Sequence, residues 1–238
     1  MCNEAARRIS LGQLREDWSQ LKIPLLFPEG LPNLEPVASF RITDTTLILR
    51  AARPETNSAT PDTPAAEAVM RRWSWPAPGG KPVYNYRADD REFRNSPTQT
   101  GAPQSNTLRG GQGRCLIAAD AFYEFTDPAR RPELPVDTAD LPPLPKGRKD
   151  KWSFTLAGAD WFGIAGLWRT HPQVPTHGGE AFTMLTCPPG DDIAPFHSRQ
   201  IVIVSRADWG RWLDGSAPAA DICRPLPAGS LKVAPAVR

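Results

Sequence analysis

An α+β fold, built mostly of antiparallel strands in a barrel-like core and flanked by a few helices, is predicted by three features of this 238-residue sequence. Short β-branched and aromatic segments separated by turn residues dominate the chain. Helical periodicity is confined to two places, so strands do not alternate regularly with helices as they would in a βαβ sheet. No internal repeat is evident, and proline-rich stretches interrupt strands that depend on one another, which favours a single domain over residues 1–238.

The first helix signal begins at Ser10, where S-x-x-Q has the form of a capping box and Leu11, Leu14, Trp18 and Leu21 recur at helical spacing. The strand segments are "TTLILR", "RCLIAADAFYEF", "WSFTLAG", "WFGIAGLW", "AFTMLTC" and "QIVIVS". A second helix is predicted near Ser205, with Trp209, Trp212 and Leu213 on one face and Gly215 as its stop. Proline contributes 27 residues, about twice its usual share. The prolines gather in polar, aperiodic stretches near 53–66, 96–107 and 127–150, which read as surface loops or insertions.

Composition narrows the function classes. The content is 40% hydrophobic and 23% charged, as in ordinary globular chains. Apolar runs such as "IVIVS" fall far short of the ~20 residues a membrane span needs, and Glu4 interrupts any signal-peptide pattern, so a cytoplasmic protein without membrane contact is expected. Cys2, Cys115, Cys187 and Cys223 are scattered and stand at no zinc spacing to His171, His177 or His197, so reduced thiols, no metal and no cofactor are expected. A net charge of +2 argues against a protein that coats nucleic acid by bulk electrostatics. The exception is local: Arg71, Arg72, Lys81, Arg87, Arg91 and Arg94 outnumber Asp89, Asp90 and Glu92, although a solvated surface is the plainer reading of this run.

Chemistry-bearing residues stand at strand ends. Glu124 lies between Tyr123 and Phe125, His197 and Arg199 precede a strand, and Asn85 and Arg87 project to one side of an extended segment. Singly, each has a structural reading: a salt-bridged Glu124, a satisfied core His197, an Asn85 in a turn. Cys2 adds what no internal cysteine offers, because removal of Met1 leaves an amine and a thiol on adjacent carbons.

At these residues the chain resembles the SRAP family, the SOS response associated peptidases. That family begins Met-Cys-Gly-Arg. It continues with a Trp-Gly-Leu segment, Asn-Ala-Arg, Arg-Cys-(Leu/Ile)-x-Pro-Ala-x-Gly-(Phe/Tyr)-Tyr-Glu-Trp, Ala-Gly-Leu-Trp and a Thr-rich strand leading to His-x-Arg. The matching segments here are "MC" (1–2), "RWSW" (72–75), "NYR" (85–87), "RCLIAADAFYEF" (114–125), "AGLW" (165–168) and "FTMLT" through "FHSR" (182–199), in the same order over nearly the whole chain.

The resemblance implies a protein that crosslinks itself to abasic sites in single-stranded DNA. Its N-terminal amine and thiol close on the sugar aldehyde as a five-membered thiazolidine, which resists the hydrolysis that undoes a simple imine. Cys2, Asn85, Glu124 and His197 form the implied catalytic set. Glu124 shuttles protons and serves Met1 removal, Asn85 orients the amine or sugar, and His197 acts on the sugar oxygen. Arg72, Trp73, Arg87, Thr186 and Arg199 form the implied DNA-binding set, with Arg87 and Arg199 on phosphates, Trp73 against an unstacked base and Thr186 on the backbone. The implied partner is abasic single-stranded DNA, bound by a monomer.

The departures are Asn3 and Glu4 for the family's Gly-Arg, Ser74 and Trp75 for Gly-Leu, Ala121 for Gly and Phe125 for Trp. Glu4 is expected to sit beside the reactive centre and weaken DNA binding, with Arg7 or Arg8 as compensating cations. Two other readings stay open: a cysteine peptidase pairing Cys2 with His197 against external substrates, and a non-covalent binder of single-stranded DNA.

Overall fold

The structure, a computed structural model, describes residues 2–57, 64–77, 79–89 and 112–236. Its first half runs β1 (Glu4–Arg7), α1 (Leu11–Ser19), β2 (Leu25–Leu26), β3 (Val37–Arg41), β4 (Thr45–Ala51), β5 (Ala66–Trp73), β6 (Trp75–Pro76), β7 (Pro82–Val83) and β8 (Asn85–Arg87). The second half holds β9 (Gln112–Ala119), β10 (Ala121–Thr126), β11 (Asp150–Leu156), β12 (Phe162–Thr170) and β13 (Glu180–Cys187). It ends with β14 (Gln200–Ile201), β15 (Ile203–Val204), α2 (Trp209–Leu213), α3 (Ala219–Ile222) and β16 (Leu231–Pro235). The predicted loop at 96–107 and residues 58–63 of the first loop lie outside the described residues.

Five strands in the order β16-β11-β10-β1-β3 form one sheet. The other runs β14-β13-β12-β9-β4-β5-β2, and a parallel pairing of β13 with β5, Phe182 opposite Trp73, closes its middle into a barrel. The predicted α+β class, mostly antiparallel, is the observed one.

The continuous apolar runs "LIL" and "CLIAA" follow from burial on both sheet faces. In β4, Leu47 and Leu49 face one core while Ile48 faces the other, and in β9 Leu116 and Ala118 oppose Cys115, Ile117 and Ala119 in the same way. Helices cover the first face through Trp18, Trp209 and Trp212, and the five-stranded sheet covers the second through Phe122, Trp152 and Phe154.

Both predicted helices form. Ser10 Oγ accepts from the Gln13 backbone N–H at 3.1 Å, whereas the Gln13 amide reaches Asp160 at 3.2 Å instead of turning back to complete a capping box. Leu14 and Trp18 are buried, and Trp18 stacks on Trp209 with ring centroids 5.7 Å apart. A 3₁₀ turn, Arg206–Asp208, leads into α2, and Gly215 beyond its end takes a φ of 77°.

One predicted strand is two. "RCLIAADAFYEF" crosses from the barrel to the second sheet at Asp120, which belongs to neither β9 nor β10. Asp120 binds the Arg8 backbone N–H and the Arg8 guanidinium, with Nε at 2.8 Å, while its own N–H donates to Ala6 at 3.0 Å. This crossing clamps β1 alongside β10, with Ala5 opposite Phe122 and Ala6 opposite Ala121.

The cationic run after Arg71 is also redistributed. Arg71 is 2% exposed and joins an internal network in which it pairs with Glu29 and Glu180. Arg50, fully buried, pairs with Glu67 at 2.6 Å and Glu180 at 2.9 Å and lies over Trp168. Arg91 and Arg94 lie outside the described residues.

Ser74, standing where the resemblance places glycine, has a φ of 83°, in a region that disfavours any residue with a Cβ by roughly 1–2 kcal/mol. Its backbone N–H donates to Phe182 at 2.7 Å, which holds the bend in place. Ser74→Gly is therefore expected to stabilise the protein by about 1 kcal/mol, measured by urea unfolding; a variant less stable than wild type would contradict this account.

Candidate active site

The β1–β10 register, continued toward the N-terminus, carries the Cys2–Asn3 segment alongside Glu124. Glu124 is 2% exposed and accepts a hydrogen bond from the Cys2 backbone N–H. Burial pushes its carboxyl up to about 7. The nitrogen that would become the α-amine on loss of Met1 is thus already the partner of an acid poised near neutrality.

The Cys2 thiol is 1% exposed and donates to the Glu4 carbonyl at 3.3 Å. Burial, reinforced by the charge of Glu124, pushes it up to about 12, so it stays a neutral thiol. Asn85 arrives on β8, which pairs in parallel with β13 so that Asn85 faces Met184 and Arg87 faces Thr186. Its Nδ2 donates to the Cys2 carbonyl at 2.7 Å. Among the described residues no donor meets its buried Oδ1, which leaves an unused acceptor beside the Cys2 main chain.

His197 lies in the turn between β13 and β14, anchored by Phe196. That ring packs edge-on against Trp152, the cross-strand partner of Glu124, at 5.4 Å and against Phe154 at 5.2 Å. The Arg199 backbone N–H reaches His197 Nδ1 at 3.0 Å, which fixes the ring edge. Burial holds the imidazole below its ordinary pKa, and the charge of Lys149 acts in the same direction, so neutral His197 is favoured. Asn85 and Glu124 thus meet the Cys2 main chain from two other segments, and His197 is tied to the same region through Phe196 and Trp152.

The expected DNA-contact set divides. Arg87 is exposed at the β8 end. Arg199 is held by Asp89 in a two-point ion pair, 2.8 and 2.6 Å, and by the Thr186 carbonyl at 2.8 Å. Thr186 is 1% exposed, with its hydroxyl donating to the Tyr86 carbonyl at 3.3 Å, so it positions neighbours and offers no surface to a DNA backbone. Arg72 is tethered to the Thr43 carbonyl at 3.4 Å, on the turn between β3 and β4. Trp73 requires a correction: it is fully buried between Phe40 and Phe182, and its indole donates to Tyr84 at 2.8 Å. It is a core residue and presents no face to a base.

Glu4 requires another. Its side chain is 4% exposed and accepts from Lys151 Nζ and Ser39 Oγ, both at 2.6 Å, with Arg41 at 3.4 Å. Burial opposes its charge, but the Lys151 and Ser39 hydrogen bonds outweigh that and hold the carboxyl below its usual range. The anion expected to repel phosphate is internal and neutralised. Nor do Arg7 and Arg8 act as its substitutes: Arg7 is buried with its guanidinium on the Glu35 carbonyl, and Arg8 is committed to Asp120. Lys151, Ser39, Asp89 and Asp120 carried no signal in the sequence, because each acts through a partner between 35 and 147 residues away.

Among the described residues no group of three or more His, Cys, Asp or Glu side chains is arranged to hold a metal, and no helix is long and apolar enough to cross a membrane. No curated protein matches the chain. A protein from Bordetella bronchiseptica shares its fold at 23% identity and a TM-score of 0.60, with 100% of both chains covered. A phage-related protein from the same organism does so at 18% identity and 0.61, covering 100% of this chain and 95% of that one. A Bacteroides thetaiotaomicron protein does so at 10% identity and 0.60, covering 98% and 91%. The family described as SOS response associated peptidase (SRAP) matches residues 1–238. On that match, with a shared fold and the family's motifs in their order, the chain belongs to the SOS response associated peptidase family.

Proposed function

We propose that this protein, once Met1 is removed, joins the amine and thiol of Cys2 to the ring-opened aldehyde of an abasic site in single-stranded DNA, forming a thiazolidine that shields the lesion. The observation that carries this reading is the Glu124 carboxyl on the Cys2 nitrogen, pushed up to about 7 where it can both take and give a proton. In Met1 removal, Glu124 takes a proton from the attacking water and returns it to the departing Cys2 nitrogen. In the crosslink, the freed amine adds to the aldehyde, and protonated Glu124 supplies the proton with which the carbinolamine oxygen leaves as water. The thiol then adds to the imine carbon, its proton passing to nitrogen, and closes the ring. Asn85, holding the Cys2 carbonyl through Nδ2, keeps amine and thiol in one conformation, and its Oδ1 accepts from a sugar hydroxyl. Neutral His197 serves as the base that opens the sugar.

A peptidase acting on external substrates needs a thiolate nucleophile with a lowered pKa. The Cys2 thiol is pushed the other way, to about 12. It suits ring closure onto an already electrophilic imine better than attack on an amide. Intact-protein mass spectrometry with abasic and undamaged oligonucleotides tests the reading. The wild type is expected to lack Met1 and to gain the mass of the abasic strand less one water, whereas Cys2→Ala gains nothing and Cys2→Ser forms no stable adduct. Stable adducts in Cys2→Ala, or full activity in protein retaining Met1, would sink it; binding without adduct in the wild type would favour the non-covalent reading.

A further inference from the structure

The proline-rich stretch at 127–150 reads as a surface loop, yet the fold gives it a fixed course. Arg131 reaches across it, pairing with Asp150 at 2.9 and 2.8 Å and donating to the Leu141 and Pro142 carbonyls at 3.1 and 2.8 Å. Arg130 donates to Pro195, at the base of the His197 turn, at 2.5 Å. Near its end Pro145-Lys146-Gly147-Arg148 forms a turn in which the Arg148 N–H donates to Pro145 at 3.0 Å and Gly147 takes a φ of 81°. That is the geometry of a type II turn, which needs glycine at its third position.

The turn carries two exposed cations, Arg148 and Lys149, into the neighbourhood of the reactive centre. Arg148 lines a cavity of about 430 Å³ together with Asn3, Glu4, Arg41, Phe125 and Lys151. Its neighbour Lys149 lies near enough to His197 to help lower that imidazole, after burial. Within the cavity the one carboxylate, Glu4, is held by Lys151 at 2.6 Å and also met by Arg41 at 3.4 Å, so three cations face one anion and a surplus of positive charge lies over an apolar wall supplied by Phe125. Asn3, on the wall of that cavity, is bonded directly to Cys2.

We propose that Arg148 and Lys149 on this arm, with Arg41 across the cavity, form a phosphodiester-binding rim that grips single-stranded DNA next to the reacting sugar. The rim rests on the abasic-site reading of Cys2. It gives the chain phosphate contacts from a segment distant in sequence from Arg87 and Arg199, at a position where its own residue 4 is an internal anion. Exposed arginine and lysine on a pre-ordered turn lose little freedom on binding, and each phosphate they neutralise releases counterions.

The test is a salt titration of an undamaged oligonucleotide against wild type and the Arg148→Ala/Lys149→Ala double variant, whose exposed positions leave the core intact. Affinity is expected to fall about 10-fold near 0.1 M salt, and the slope of log K against log salt to shrink by about 1.4, or about 0.7 for each phosphate no longer neutralised. With an abasic strand, the concentration giving half-maximal crosslinking rate should rise by the same factor. Equal affinity and slope in the two proteins, or weaker binding with an unchanged slope, would overturn the rim. Failure of the wild type to form any adduct would instead reject the Cys2 reading, while the undamaged strand still judges the rim.

Discussion

Glu124→Gln is expected to slow adduct formation by ~10²-fold or more, the usual worth of a positioned acid/base, and at the same time to make the protein more stable above pH 7. The rate effect follows because glutamine keeps an acceptor for the Cys2 N–H but neither takes nor gives a proton. The stability effect follows from burial. The carboxyl titrates at about 7 in the fold against an ordinary value of 4.5, so the native state holds a proton that the unfolded chain has already released. Between those two values stability falls as pH rises, and glutamine removes the fall. The variant should match wild type at pH 4 and exceed it by about 3 kcal/mol at pH 8, measured by urea unfolding at both values. A stability difference that does not change with pH would show that Glu124 ionises without cost, and an unchanged crosslinking rate would leave it a structural residue.

Glu4→Arg is expected to destabilise the protein by about 3–5 kcal/mol, the usual cost of removing one partner from a buried ion pair. Lys151, 7% exposed, would lose its carboxylate and meet a second cation in a space where its ammonium already lies 3.9 Å from the centre of the Tyr123 ring. Ser39 would lose its acceptor. Because the Cys2 thiol bonds to the Glu4 carbonyl, a shift of β1 would also reach the reactive centre. Glu4→Gln, which keeps an acceptor for Ser39 and Lys151, should cost less than half as much. Thermal and urea unfolding of the two variants measure this, beside DNA affinity. A Glu4→Arg protein of wild-type stability that binds single-stranded DNA more tightly would return Glu4 to the DNA face.

The strands and both helices were legible because their signals are local. Apolar runs, a cap three residues from the N–H that it accepts and a cysteine behind Met1 depend on near neighbours or on position. The family's motifs mark Cys2, Asn85, Glu124 and His197 as candidates without showing where each side chain sits. The direction in which a charged or aromatic residue faces is different in kind, since the same letter serves a core, an ion pair or an interface. Trp73 has the composition of a base-stacking residue, and only the closure of β13 on β5 shows it sealed between Phe40 and Phe182. The sequence by itself determined the α+β class and, through the family's motifs, named candidates for the reactive centre. Which of its arginines are internal, as Arg50 and Arg71 are, and that Glu4 is paired by Lys151 from 147 residues away, only the tertiary structure decided, because long-range pairing sets burial and burial sets what a charge can do.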